Sequence, residues 1–293
     1  MYWPRVGVVG VGLIGGSFAA AIKQGKLAGQ VIGFAPDATS AEALRLGLID
    51  QVENDLPRLA ASVDLLVLAA PVLQIPNLMS IIGRHLGAHT VLTDCASTKK
   101  SVIAAAEQYL GDAFARFVPA HPIAGAEKSG PSAARGDLFN GARVIFCPQA
   151  LTGPAALDQV RRTWQAIGAR IAEIDADQHD RLFAVVSHWP HALVFALCAA
   201  IARSDVSVRA QHAAGAGLRD TTRIGASSAS LWSEILLDNR TEVLRAAEEF
   251  LVEAQETVRL LRAGDGDGLK LLFETASQWR SAVEEPTKLK AGA

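Results

Sequence analysis

One histidine stands where a catalytic base is useful. His121 opens the segment His121-Pro122-Ile123-Ala124-Gly125-Ala126-Glu127-Lys128-Ser129-Gly130. The run Phe117–His121 reads as a strand end, and the following proline and glycine loop fix the backbone behind the imidazole. An imidazole so held can act as a general base; the plainer reading is a histidine that only hydrogen-bonds its own loop. Ser97 follows another strand-like run, Thr90–Cys95. It reads as an N-cap of the next helix, with Lys99 and Lys100 as solvated charges, and a capping hydroxyl there also faces a cleft. Further on, Ser187-His188-Trp189-Pro190-His191 puts two imidazoles three apart on one helix face. A metal would need more ligands than these. A buried, hydrogen-bonded pair is the simpler account, more so for His188 than for His191. In Gly217-Leu218-Arg219-Asp220-Thr221-Thr222-Arg223 the two arginines are i,i+4 neighbours, which repel unless anions lie close. Arginine has the planar fork for bidentate carboxylate binding, so a substrate carrying carboxylates is implied, against a merely solvated helix face.

A second kind of chemistry is written at the start of the chain. Arg5–Ile22 reads RVGVVGVGLIGGSFAAAI: a β-branched run, then Gly10, Gly12, Leu13, Ile14 and Gly15, then a helix. This is the strand, glycine turn and helix that binds a dinucleotide, the phosphates lying on the helix N-terminus. Gly10 allows the tight turn, Gly12 the approach of a pyrophosphate and Gly15 the close packing of helix on strand. About 20 residues beyond Gly15, where an acid usually binds the ribose hydroxyl, stands Ala35, with Asp37 two residues on and no arginine beside it. Both NAD and NADP therefore stay open. Ala70 and Pro71, ending the apolar run Val63–Ala70, are further candidates for the cofactor edge because ligands bind at the carboxyl ends of strands.

The elements that must position these groups change character along the chain. Up to about residue 175, strand-like runs (Val31–Ala35, Val63–Ala70, Thr90–Cys95, Phe117–His121, Arg143–Pro148, Arg170–Asp175) alternate with helical ones, which predicts one doubly wound sheet. Beyond it, helical periodicity predicts helices Asp177–Arg203, Ala210–Leu218, Ser230–Leu237, Asn239–Leu261 and Leu269–Val283, with Gly264–Gly268 as a connector and Glu284–Ala293 as a frayed tail. The expected organisation is a Rossmann-type dinucleotide-binding domain, 1–175, and an all-α substrate and dimerisation domain, 176–293. Ligand would bind in the cleft between them. Of the 293 residues half are hydrophobic, so apolar surface must be buried between helices or between subunits. The net charge of −2 without a basic run gives no support for nucleic-acid or membrane-surface binding. His188, Pro190 and His191 interrupt the apolar Val185–Ala202 stretch, favouring a buried helix over a membrane span. Three widely spaced cysteines make no disulfide or zinc pattern, and no signal peptide is recognisable. A soluble, cytoplasmic protein is expected.

Taken together, Gly10–Ser17, Asp94–Lys100, His121–Gly130, Ser187–Leu193 and Leu218–Trp232 resemble the prephenate/arogenate (cyclohexadienyl) dehydrogenase family of tyrosine biosynthesis, in order and spacing. The resemblance implies hydride transfer from a cyclohexadienol to NAD or NADP with loss of the ring carboxylate as CO2. It implies that His121 accepts the 4-hydroxyl proton and that Ser97 hydrogen-bonds the same hydroxyl. Arg223 would hold a substrate carboxylate, Arg219 would stand where some relatives carry lysine, and His191 and Trp232 would line the pocket. Glu127 would order the His121 loop or a polar wall. It further implies a homodimer through the helical half. Ala35 in place of an acid, and the small Ala126, depart from the family pattern. No regulatory or mutase domain is expected after the helices. The competing readings are a catalytically silent dinucleotide sensor and a related hydroxyacid dehydrogenase or imine reductase; the His121 and Arg223 segments discriminate against both.

Overall fold

A computed structural model of the chain describes residues 2–35, 38–126 and 128–283. Two compact units form, one ending at Val243 and the other beginning at Leu244. The first starts β1 (Trp3–Val9), α1 (Leu13–Gln24), β2 (Ala28–Phe34), α2 (Thr39–Arg45), β3 (Gln51–Val52), α3 (Leu56–Ser62) and β4 (Leu65–Leu68). It continues with α4 (Ile75–Ile82), β5 (Val91–Asp94), α5 (Lys100–Tyr109), β6 (Phe117–Val118), β7 (Ala120–Ile123), β8 (Arg143–Phe146), α6 (Pro154–Ala166) and β9 (Arg170–Glu173). The strands β3-β2-β1-β4-β5-β6 make one parallel sheet in that order. All four residues of β4 are buried, as an unbroken apolar run must be when helices cover both faces of a sheet. Sequence periodicity passed over β3 and α3. The first has only two residues, and the second is set by the Asp55 side chain accepting from Arg58 N, with Pro57 in its first turn.

The single doubly wound sheet expected from the sequence is in fact two. β7, β8 and β9 form a separate three-stranded sheet, with β7 antiparallel to β8. The run through Phe117–His121 is therefore not one strand. Pro119 has no N–H to extend the ladder with β5, and the chain crosses to the second sheet there. β7 can carry Pro122 because it lies at a sheet edge. His121 consequently sits inside β7, paired with Ile145, rather than at a strand end.

Helices follow: α7 (Ala176–Phe183), a π turn (Ala184–His188), α8 (Trp189–Ala202), α9 (Ser207–Ala213), α10 (Ala216–Thr222), α11 (Ala229–Asp238) and the start of α12 (Arg240–Ala263). Pro190 cannot donate to the carbonyl four residues before it. The helix widens just upstream, and Trp189 N–H reaches back five residues to Ala184 O. The span Ala176–Ala202 is long and apolar enough to cross a membrane by length and composition. The expectation of a buried helix is corrected here: α8 buries only Val194, while Val185 and Val186 of the π turn are 52% and 55% exposed. Ala214-Gly215 breaks the expected helix Ala210–Leu218 in two. The second unit holds the rest of α12 and α13 (Gly266–Ala282); Asp265 caps α13 through Gly268 N, so this last helix starts three residues earlier than its periodicity suggests. The expected tail, Glu284–Ala293, lies outside the described residues.

Candidate active site

The β1–α1 turn is shaped for phosphate. Gly10 takes φ +87° and packs on the backbone of Ala69 and Ala70, where a Cβ would fall 2.5 Å from Ala69 O. A Cβ on Gly15 would lie 2.0 Å from Gly10 O, so only glycine lets α1 sit this close to β1. Gly12, the N-cap of α1, has open space around it, and no side chain caps the helix. The free N–H groups, the dipole and the open approach fit a dinucleotide pyrophosphate. Leu13 and Ile14 are half-buried against the core of the same face. Ala70 and the exposed Pro71 follow β4, and Ala35 follows β2, its carbonyl accepting from Ser40 Oγ at 3.3 Å. Asp37 lies outside the described residues, as does Glu127.

Around His121 three residues make a directed hydrogen-bond chain. Asp180 Oδ1 lies 2.7 Å from His179 Nδ1, and His179 Nε2 lies 2.9 Å from His121 Nδ1. Asp180 also accepts from Lys99 N (2.8 Å) and Lys100 N (3.0 Å) at the start of α5. Burial opposes its charge, but His179 and these amides outweigh burial and hold its carboxyl below the ordinary range. An ionised Asp180 can only accept, so His179 carries its proton on Nδ1 and offers a lone pair at Nε2. His121 then donates from Nδ1, which leaves its Nε2 as the acceptor. Burial first, then His179, Lys99 and His188, push the His121 pKa well below the usual 6.5. The imidazole is neutral at pH 7, and more firmly so than an unperturbed histidine.

Two sequence expectations about the β5–α5 turn are overturned. Ser97 is half-buried and caps nothing; Lys99 occupies the N-cap position of α5. Lys99 is fully buried, not solvated, and pairs with Asp94 beneath the turn. Lys100 is the exposed one, with Asp177 at 2.7 Å. Instead of Ser97, acidic groups from the helical stretch hold the turn: Asp180 through the two amides, and Asp238 Oδ2 accepting from Thr98 Oγ1 (2.5 Å) and Ser101 Oγ (2.6 Å). A carboxylate at a helix N-terminus is favoured by the dipole as well as by the bonds.

Beyond His121 runs a row of rings. His121 lies 4.8 Å from Phe183, Phe183 is 6.4 Å from His188, and His188 is 6.3 Å from Trp232, between centroids. Trp232 stacks on His191 at 3.4 Å with an interplanar angle of 16°. His191 donates Nδ1–H to Ser187 O; burial, opposed by that bond, lowers its pKa, and the Arg223 guanidinium adds to the lowering. His188 Nδ1 accepts from Asn239 Nδ2, which also reaches Asp180 O, and burial brings its pKa down to about 4. The expected burial and hydrogen bonding of His188 are thus both found, while its Nε2 is buried without a partner. Arg223 opens a 3-10 turn after α10, while Arg219 is exposed on α10 and joins none of these ring contacts. His179, Asp180, Asp238 and Asn239 were given no role from the sequence, and Asp94 entered only as the start of the segment Asp94–Lys100. The acid-rich Asp175-Ala176-Asp177-Gln178-His179-Asp180, opening an apolar helix, could have signalled the first two.

A phosphate-shaped glycine turn on a parallel sheet, in the same unit as an oriented neutral imidazole, defines a dinucleotide-dependent oxidoreductase. A family model for the prephenate dehydrogenase nucleotide-binding domain matches residues 18–173, and one for the prephenate dehydrogenase dimerization domain matches 175–275. The chain is 32% identical to a prephenate dehydrogenase of Bacillus subtilis, over 94% of this chain and 75% of the relative. It is 30% identical to a cyclohexadienyl dehydrogenase of Zymomonas mobilis, over 96% of each. The crystal structure of prephenate dehydrogenase from A. aeolicus in complex with hydroxyphenyl propionate and NAD+ superposes with a TM-score of 0.87 at 31% identity, covering 97% of this chain and 99% of the other. The chain belongs to the prephenate dehydrogenase family.

Proposed function

We propose that the protein carries out the NAD(P)-dependent oxidative decarboxylation of prephenate or arogenate in tyrosine biosynthesis. The observation that carries this reading is the Asp180–His179–His121 chain, which leaves a neutral His121 with its lone pair on Nε2. His121 takes the 4-hydroxyl proton as the C4–O bond gains double-bond character. It returns that proton to oxygen when the C–CO2 bond breaks, its electron pair enters the ring and the ring becomes a phenol. The nicotinamide, when bound, supplies the acceptor for the C4 hydride. Gly10, Gly12, Leu13, Ile14 and Gly15 hold its dinucleotide, with Ala35, Asp37, Ala70 and Pro71 along the cofactor edge. Ser97 hydrogen-bonds the hydroxyl beside His121. Arg223, helped by Arg219, fixes substrate carboxylate by charge and fork geometry. His191, stacked on Trp232, walls the pocket, and the family resemblance assigns Glu127 to ordering the His121 loop or to a polar wall.

The division of labour falls at residue 175, with 1–175 binding the dinucleotide and 176–293 binding substrate and a second copy. Exposed Val185, Val186, Leu231 and Leu237 support a homodimer through that half, since a lone chain would leave this apolar surface wet. The enzyme works in the cytoplasm on small molecules, without nucleic acid or membrane. Purified protein offered each substrate with NAD and with NADP should reduce at least one cofactor, read at the reduced-nicotinamide band. His121→Asn should lower turnover by about 10² or more while cofactor still binds. No reduction in any of the four combinations would overturn the function, and wild-type turnover by the variant would overturn the base.

A further inference from the structure

Beneath His121 lies an ion pair that the reaction as described does not use. Asp94, the last residue of β5, and Lys99, before α5, are both fully buried and face each other. Asp94 Oδ1 accepts from Ala120 N at 3.0 Å and Asp94 Oδ2 from Ala96 N at 2.9 Å. Lys99 Nζ donates to Ala120 O at 2.8 Å. Both backbone groups of Ala120 are thus held by the two ends of one salt bridge. The reason lies in the fold: β6 pairs with β5 only as far as Val118, Pro119 ends the ladder, and Ala120 begins the other sheet. At that seam no strand of the first sheet holds the residue before His121, and the charged pair takes the strand's place.

We propose that Asp94 and Lys99 are positioning residues for His121, clamping the Ala120 peptide and fixing a cation beside the imidazole. The claim rests on His121 acting as the base. A buried pair in the core is an expensive way to close a seam that apolar side chains could fill, which argues for a duty beyond packing. Placement explains it. A cation held here disfavours imidazolium, so His121 enters each cycle with its lone pair free, and Lys99 is among the groups that lower its pKa. The other groups acting on His121 are His179 from α7, with Asp180 behind it, and His188 from the π turn. Cys147, just past β8, stays a thiol because burial pushes it up to about 12.

The test replaces the pair by a neutral one of similar volume, Asp94→Asn with Lys99→Met, and follows the His121 imidazole by NMR during a pH titration, its signal assigned through His121→Asn. The pKa should move up, because the cation beside the imidazole is lost. In the assay kcat should fall at least tenfold, with KM changing less than threefold and the acid limb moving to higher pH. An unchanged His121 titration with wild-type kcat would overturn the proposal and leave a purely structural pair. Should the neutral pair not fold, Lys99→Arg decides. Its guanidinium keeps the charge but not the compact geometry, so kcat should fall while the His121 titration holds; a wild-type kcat would overturn the clamp. The titration needs no turnover, so failure of this claim and failure of wild-type protein to reduce nicotinamide are separate results.

Discussion

Asp180→Asn isolates the tautomer logic of the site. The carboxylate accepts three hydrogen bonds, from His179 Nδ1 at 2.7 Å, Lys99 N at 2.8 Å and Lys100 N at 3.0 Å. His179 Nδ1 and Lys99 N share Oδ1, while Lys100 N is on Oδ2. The introduced amide has one acceptor oxygen: at Oδ1 it keeps His179 and sets its NH2 against Lys100 N, and at Oδ2 it keeps Lys100 N and turns its NH2 to His179. In the second setting His179 must accept at Nδ1 and keep its proton on Nε2. That proton points at His121 Nδ1, so the proton of His121 moves to Nε2, where the base needs a lone pair. A base held in the wrong tautomer loses about 10² to 10⁴ in kcat, or roughly 3–5 kcal/mol of barrier. The folding effect is smaller. Exchanging charge-assisted for neutral bonds loses about 1 kcal/mol each, partly offset by no longer burying a charge, for a net of roughly 2 kcal/mol. For a domain of this size that lowers Tm by about 4–8 °C. The assay is steady-state turnover at a temperature well below the variant's melting point, with the dissociation constant for reduced cofactor measured in parallel. A variant with wild-type kcat, or one whose whole loss sits in cofactor binding, would refute the relay.

Three other expectations use different parts of the structure. His121, His179 and His188 all have folded pKa values below the unfolded 6.5, so unfolded chain takes up protons first as the medium acidifies. Stability is complete above about pH 6.5 and declines below it; for His188 the window runs down to about 4, for a loss of roughly 3 kcal/mol. Urea melts at pH 7, 5.5 and 4.5 should show that decline, and the acid limb of kcat should lie below 6.5; flat melts would contradict the burial argument. Arg223→Ala should raise KM by a charged-contact loss of about 2–4 kcal/mol with kcat little altered, and an unchanged KM would take Arg223 out of the site. Gly12→Ala should fold, having open space for its Cβ, yet bind reduced cofactor at least about tenfold more weakly, whereas Gly15→Ala should fail to fold stably because its Cβ meets Gly10 O. Equal behaviour of the two in thermal melts would count against this reading of the turn.

How much of this was legible beforehand depends on whether the cause is local. The glycine turn could be read because tight turning, phosphate approach and close packing are steric demands met within six residues, Gly10 to Gly15. The apolar run ending in β4 announced a strand buried on both faces, and the change to helical periodicity after residue 175 announced the helices. His121, Arg223, His191 and Trp232 stood out because their residue types and order resemble those of one family. None of this reaches the relay or the clamp. Asp180 meets Lys99 across 81 positions, Asp238 meets Thr98 across 140, and Lys99 meets Ala120 across a seam that exists only because Pro119 splits the strands into two sheets. In sequence Lys99 and Lys100 are equivalent neighbouring charges; in the fold one is sealed against Asp94 and the other lies in solvent. Local sterics and periodicity are properties of adjacent residues, so the chain's order alone determined the glycine turn and most strands and helices, but not the split at Pro119 into two sheets. Burial, protonation state and charge pairing depend on which distant groups share a low-dielectric space, and only the tertiary structure decided those.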